Sequence, residues 1–160
     1  MPRYKRFVAH RGAQKMYLIE TEFLFGTRTG DKWHNQVVEI LELFKEGKIE
    51  TLLSCASAFL EVGVVLQAHG IQAEQIEETI FLMKQKLHES KIEEVELNSD
   101  DIVRLYELLR RYVVEYFDAM QAAVALGKNA TLVTNDKVFA MLGVKTVSFE
   151  ELIAKTMKET

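Results

Sequence analysis

The chain has 160 residues, 48% hydrophobic and 28% charged, with one Pro and eight Gly, which suits a single globular domain with a sizeable core and excludes a long flexible linker. A net charge of −4 excludes a surface built to bind nucleic acid indiscriminately. The lone cysteine, Cys55, cannot form an internal disulfide, no apolar stretch reaches the roughly 18 residues of a membrane span, and no signal-peptide apolar segment follows the basic start. A cytoplasmic protein with no membrane association is expected.

Arg3, Lys5, Arg6, Arg11 and Lys15 all precede the first acid, Glu20. Residues 1–15 are therefore read as a basic N-terminal extension, either a solvated loose end or an arm that touches phosphates. Residues 16–160 are read as the folded domain. Residues 16–20 predict a short buried strand, and Phe23-Leu24-Phe25 carry its apolar character on to Gly26. Val37, Val38, Leu41 and Phe44 share one face of a helix over 34–46 that stops at Gly47. Residues 49–54 predict a second strand, with Cys55 beyond it as a small core residue, and Ala56–Ala68 a strongly apolar helix. Ile76, Ile80, Met83 and Leu87 give Ala73–Glu89 one apolar face.

Residues 92–97 alternate apolar and acidic positions, as a half-exposed strand does. Asn98-Ser99-Asp100-Asp101 is a helix-capping cluster ahead of Leu105, Leu108 and Leu109. A helix over 113–126, a strand over 130–134, a short helix over 137–142 and a strand over 145–147 follow. Ser148 and Glu151 have capping-box spacing and open a terminal helix. Strands separated by helices predict an α/β fold, a three-layer α/β/α sandwich with a central parallel sheet.

Four acids stand out against their surroundings. Asp118 is the only charged residue between Tyr116 and Gly127, and Glu61 the only one between Cys55 and Leu66. Glu20 ends the first strand, and Asp136 follows the strand that leads into Thr134-Asn135. Ligands of open parallel sheets bind outside the carboxyl ends of the strands, where Glu20 and Asp136 fall and where helices could bring Glu61 and Asp118. Clustered carboxylates repel one another, and Mg²⁺ or Mn²⁺, which take oxygen ligands and keep several waters, make such a cluster tolerable. A site of that kind orients a phosphodiester and acidifies a bound water. Each acid also has a structural alternative. Glu61 could reach solvent, Asp118 could favour a helix N-terminus, Asp136 could cap the next helix, and Glu20 could pair with an arginine, with Glu22 serving in its place.

The arrangement resembles the PIN-domain family, whose best-known members are the VapC-type toxins, over most of the chain from Met16 to Ile153. Ile19-Glu20-Thr21 stands where the family has an apolar strand entering an Asp-Thr pair, and Ser57-Ala58-Phe59-Leu60-Glu61-Val62 where it has a second acid. Asp118-Ala119-Met120-Gln121-Ala122-Ala123 matches its Asp-Ala-x-x-Ala-Ala stretch, and Thr134-Asn135-Asp136-Lys137-Val138-Phe139 its Thr-x-Asp-x-x-Phe element. The resemblance implies a Mg²⁺- or Mn²⁺-dependent endoribonuclease cutting single-stranded or loop RNA to a 3′-hydroxyl and a 5′-phosphate. In it Asp118 and Glu20 bind metal directly, while Asp136 and Glu61 bind through water or position the attacking water. Thr21, Thr134 and Asn135 support them, and Arg28, Lys32 and Arg11 are candidates for phosphate contacts.

It further implies a homodimer held by a protein antitoxin, with the helices at 34–46 and Ala73–Glu89 as partner surfaces. One departure is Glu at position 20 where the family has Asp, so a catalytically silent RNA- or protein-binding module is the alternative. A phosphatase or a DNA-directed nuclease has no supporting motif. His10, His34, His69 and His88 lack zinc-type spacing, Met83 and Met120 suit core packing, and Trp33 either anchors a loop or stacks on a base. No phosphate-loop or dinucleotide-binding pattern occurs.

Overall fold

The computed structural model describes residues 15–159; the expected basic extension, Arg11 included, lies almost wholly outside them. Five parallel strands, β1 (Met16–Ile19), β2 (Thr51–Cys55), β3 (Glu93–Val95), β4 (Thr131–Val133) and β5 (Thr146–Val147), form one sheet in the order β3-β2-β1-β4-β5. Register runs Tyr17 to Leu52 on one side of β1 and Tyr17 to Thr131 on the other. Eight helices among the described residues connect and flank the strands: α1 (Thr21–Gly26), α2 (His34–Lys45), α3 (Ala56–Ala68), α4 (Ala73–Glu89), α5 (Ser99–Arg111), α6 (Tyr116–Lys128), α7 (Val138–Met141) and α8 (Phe149–Lys158). The expected three-layer α/β/α architecture is the one observed. No helix among the described residues is long and apolar enough to cross a membrane.

Alternation along the strands divides the core into two halves. Tyr17, Ile19, Leu52 and Val133 point to a face covered by α1, α2, α3, α4 and α8, with Phe23, Ile40, Phe59, Met83 and Phe149 buried there. Leu18, Leu53, Cys55 and Leu132 point to the other face, under α5, α6 and α7. Strands buried on both faces read as continuous apolar runs, as Leu18-Ile19 and Leu132-Val133 do. Ala119, Ala122, Ala123 and Ala125 are fully buried, and such short side chains let α6 lie close on the sheet.

Phe23-Leu24-Phe25 do not extend the first strand. They belong to α1, because the Glu20 carboxylate accepts the Glu22 N–H and caps a helix there. The turn after α1 needs Gly26, since any Cβ at that position would overlap Val37 Cγ2 of α2. The helix expected from residue 113 starts at Tyr116, because Tyr112 closes α5 in extended conformation and Val113 is fully exposed. The second strand starts at Thr51, two residues later than expected, and runs on to Cys55. Val37, Ile40, Leu41 and Leu43 of α2 are buried within the domain, so the proposed partner surface at 34–46 has no apolar face left to offer. The predicted capping box forms at Ser148 with Glu151, and the predicted capping cluster forms a box of its own at Asn98 with Asp101.

Candidate active site

The strand order reverses between β1 and β4, the place where open α/β sheets bind ligands. Glu20 is the first residue past β1, and Thr134-Asn135-Asp136 follow β4 directly. A helix that leads into a parallel strand runs back antiparallel to it, so α6 starts at this same edge and carries Asp118 in its first turn. Glu61 arrives from the second turn of α3. The chain thus places four acids from four segments at one edge.

Their protonation reports how they influence one another. Glu20 is 6% exposed, and its carboxyl is held well above the usual carboxylate range, first by burial and further by the charges of Glu22, Glu61 and Asp118, with the Glu22 N–H opposing. Asp118 is half-buried and is pushed up to about 6, first by burial, then by the charges of Asp136, Glu61 and Glu115. Among the described residues none of the four acids has a cationic side chain within ion-pairing distance; the ion pairs there engage Glu159, Glu42, Glu46 and Asp101 instead. The arginine partner considered for Glu20 is therefore not found among these residues.

A buried hydrogen-bond network holds Glu61. Thr21 Oγ1 donates to Glu61 Oε2, and Gln121 Nε2 donates to the same oxygen at 3.3 Å. The other end of the amide, Gln121 Oε1, accepts from Ser57 Oγ at 2.9 Å. Ser57 and Gln121 are both essentially inaccessible to solvent, so the network is locked in the core. Glu61 is half-buried and does not swing free, as the solvent alternative required. Gln121 had no role assigned from sequence. Its signal was a lone amide one turn after Asp118 on an otherwise apolar helix face.

On the other side of the site, Thr134 Oγ1 accepts the Asp136 N–H at 3.1 Å. Asn135 Nδ2 donates to Glu22 at 3.3 Å while its Oδ1 accepts the Phe149 N–H at 3.1 Å, joining the β4 loop to α1 and α8. Asp136 Oδ1 accepts the Val138 N–H at 3.0 Å from one residue ahead of Lys137, the N-cap of α7, and Asp136 remains exposed. Glu22 stays at the edge of the site without replacing Glu20. Arg28 and Lys32 lie in the loop after α1, past the end of that helix opposite to Glu20. Lys32 sits over the Trp33 ring at 5.2 Å, and Trp33 packs on Phe149, which makes it an anchor of the loop.

The donor set is all oxygen, with no thiolate or imidazole, which fits a hard cation such as Mg²⁺ or Mn²⁺. Glu20 and Asp118, raised first by burial and then by the neighbouring acids, fit it further, because positive charge between them relieves both costs. Among the described residues no three acids, histidines or cysteines have the spacing of a ready-made ion cage. Mg²⁺ is commonly held through one or two carboxylates with water completing its shell, so these residues suit a partly hydrated ion.

The model of the PIN domain family matches residues 17–145. No curated protein matches the chain. Among solved structures, a chain of VapBC2 from Rickettsia felis, bound to a DNA fragment from its promoter, is similar with a TM-score of 0.61 and 18% identity, over 83% of this chain and 98% of that one. VapC20 of Mycobacterium tuberculosis, described as a sarcin-ricin loop cleaving toxin, gives 0.60 and 16%, over 80% and 95%. FitAcB from Neisseria gonorrhoeae gives 0.56 and 15%, over 84% and 99%. At these identities the likeness is one of fold, the three-layer α/β/α fold described above. With the family model covering most of its length, this chain belongs to the PIN-domain family.

Proposed function

We propose that the chain is a divalent-metal-dependent endoribonuclease and the toxin member of a toxin–antitoxin pair. The observation that carries the proposal is Glu20, a buried acid with no cationic partner among the described residues, placed beside the charges of Asp118 and Glu61. An uncompensated buried carboxylate is expensive, and its retention at a ligand-binding edge is explained by a cation it holds.

Asp118 and Glu20 would hold the metal directly, with Glu61 and Asp136 reaching it through water. When bound, Mg²⁺ or Mn²⁺ supplies charge that offsets negative charge developing at the phosphorus and acidifies water at the site. The protein's own part is positional. The Glu22 N–H fixes the Glu20 carboxylate, Thr21 and Gln121 fix Glu61, and Thr134 shapes the turn that presents Asp136. Asp136 and Glu61 orient a water in line with the scissile bond. The water gives up a proton to solvent as its oxygen forms a new bond to phosphorus, the P–O3′ bond breaks, and the 3′ oxygen takes up a proton from solvent. The products are a 3′-hydroxyl and a 5′-phosphate. Arg28 and Lys32 are proposed phosphate contacts away from the acids.

VapBC2 and FitAcB, among the similar structures, support a protein antitoxin as partner. The outer side of α4, where Phe81 and Leu82 are more than half exposed, is the surface proposed for it, and a homodimer is the proposed assembly. A cytoplasmic setting fits the single, buried, unpaired Cys55. The proposal is tested by incubating purified protein with labelled RNA in Mn²⁺, Mg²⁺ or EDTA beside Asp118→Asn. Cleavage that needs metal and is lost in the variant supports it; folded, inhibitor-free protein that cuts with neither metal overturns it.

A second reading, a catalytically silent module that binds RNA or protein, is favoured by the lack of a preformed three-ligand cage among the described residues together with Glu at position 20. Mn²⁺ separates the two. A working site raises the melting temperature in proportion to RT ln(1 + [L]/Kd), and a silent one leaves it unchanged.

A further inference from the structure

Beside the acidic edge lies an aromatic surface that the four acids do not use. Tyr106 of α5 and Tyr116, the first residue of α6, are 57% and 43% exposed. Their rings meet edge to face with centroids 6.4 Å apart. Tyr116 also meets the Phe117 ring at 5.7 Å. Aromatic rings that touch one another and stay about half exposed are a platform for flat partners.

The placement of this platform selects its ligand. Tyr116 and Asp118 share the first turn of α6; at about 100° per residue their side chains leave opposite sides of the helix. A chain running from the rings to Asp118 therefore crosses the N-terminal end of α6, where free N–H groups and the helix dipole favour a phosphate. Arg110, one helical turn after Tyr106 and so beside it on α5, is exposed, as is Arg111. Neither forms an ion pair among the described residues. Glu107 and Glu115 balance their charge across the same segment, so stacking contributes most of the affinity here and phosphate attraction contributes less.

We infer that Tyr106 and Tyr116 form a base-stacking platform that seats an unpaired nucleotide of single-stranded RNA across the N-terminal end of α6 from the scissile phosphate. A base inside a duplex has both faces covered and cannot reach these rings, so the platform selects unpaired RNA. Stacking tolerates any base, so it positions the strand without reading its sequence. The inference rests on the ribonuclease reading given above and adds to it two residues that position the strand.

The test is fluorescence anisotropy of a short, end-labelled, single-stranded RNA of mixed sequence, titrated with the full chain in EDTA so that nothing is cut. Wild type is compared with Tyr106→Leu, Tyr116→Leu and Tyr116→Phe, each checked for folding by its melting curve. Stacking on one ring corresponds to a factor of roughly 5 to 150 in affinity; the leucine variants should lose that much, and Tyr116→Phe, which keeps the ring, should bind like wild type. Equal binding by all four, an equal loss in the phenylalanine variant, or no binding by wild type overturns the platform. Sedimentation velocity on the same samples checks for a subunit contact. A wild-type dimer that the leucine variants split, with unchanged RNA affinity per protomer, also overturns it. Cleavage is scored separately with Mn²⁺: binding through the rings without cleavage removes the nuclease and leaves the platform, whereas cleavage with unaffected leucine variants removes the platform alone.

Discussion

Replacing Asp118 with Asn should make the metal-free protein more stable at neutral pH while removing its response to metal. The Asp118 carboxyl rises from 3.8 to about 6 in the fold. Below about pH 4 it is protonated in both folded and unfolded chains and costs nothing. As pH rises toward 6 the unfolded chain ionises first, so folded stability falls; above 6 the cost is complete. Two units at about 1.4 kcal/mol each set a ceiling near 3 kcal/mol, and water around this half-buried group reduces it to ~1–2 kcal/mol. Against that, Asn loses the attraction of a negative charge to the α6 N-terminus, ~0.3–1 kcal/mol. Repulsion and burial outweigh it, leaving a net gain of up to ~1.7 kcal/mol, or up to about 7 °C in a chain of this size. Urea unfolding followed by circular dichroism in EDTA, from pH 4 to pH 8, measures it. With saturating Mn²⁺ the order should reverse, since wild type gains about 2.7 kcal/mol at a hundredfold excess over Kd. A variant less stable than wild type at pH 8 in EDTA, or a difference that does not shrink toward pH 4, would refute the account of the site as mutually repelling acids.

Gln121→Leu keeps the volume of the side chain but strands the buried Ser57 hydroxyl and releases Glu61. It should cost ~1–3 kcal/mol in urea unfolding and lower RNA cleavage, and full activity in the variant would show that Glu61 needs no such support. Gly127→Ala would bring a Cβ to 2.6 Å from both Asp101 Oδ1 and Arg104 Nη1. Arg104 can swing away but the short, buried Asp101 cannot, so a loss of ~1–3 kcal/mol is expected from the denaturation midpoint; an unchanged midpoint contradicts the close approach of α5 and α6. Glu20→Asp draws the carboxylate back by about 1 Å to the acid that the family carries there. Because Mg²⁺ demands stricter geometry than larger cations, the ratio of Mg²⁺- to Mn²⁺-supported cleavage should rise, and a constant ratio counts against Glu20 as a direct ligand.

The period-two and helical patterns of the sequence determined the order of elements, the parallel α/β class and the N-terminal caps of α5 and α8, since these depend on neighbours a few residues apart. Glu61 and Asp118 were also legible, because a lone charge in an apolar segment is anomalous wherever that segment folds, and Glu20 and Asp136 were picked out by their place at strand ends. Local patterns could not tell that Phe23-Leu24-Phe25 form a helix: a buried helical turn and a buried strand are equally apolar, and the choice lay with the Glu20 carboxylate capping Glu22. Nor could they show that the apolar face of α2 is used up inside the domain or that Gln121 reaches across to Ser57 and Glu61. Residues 57 and 121 are 64 positions apart, and only the packing of α3 against α6 makes them neighbours. The same holds for the site as a whole. Composition along the chain marks the acids as costly to bury, but the raised carboxyls of Glu20 and Asp118 arise only when the strand order reverses between β1 and β4 and gathers the acids into one poorly solvated corner.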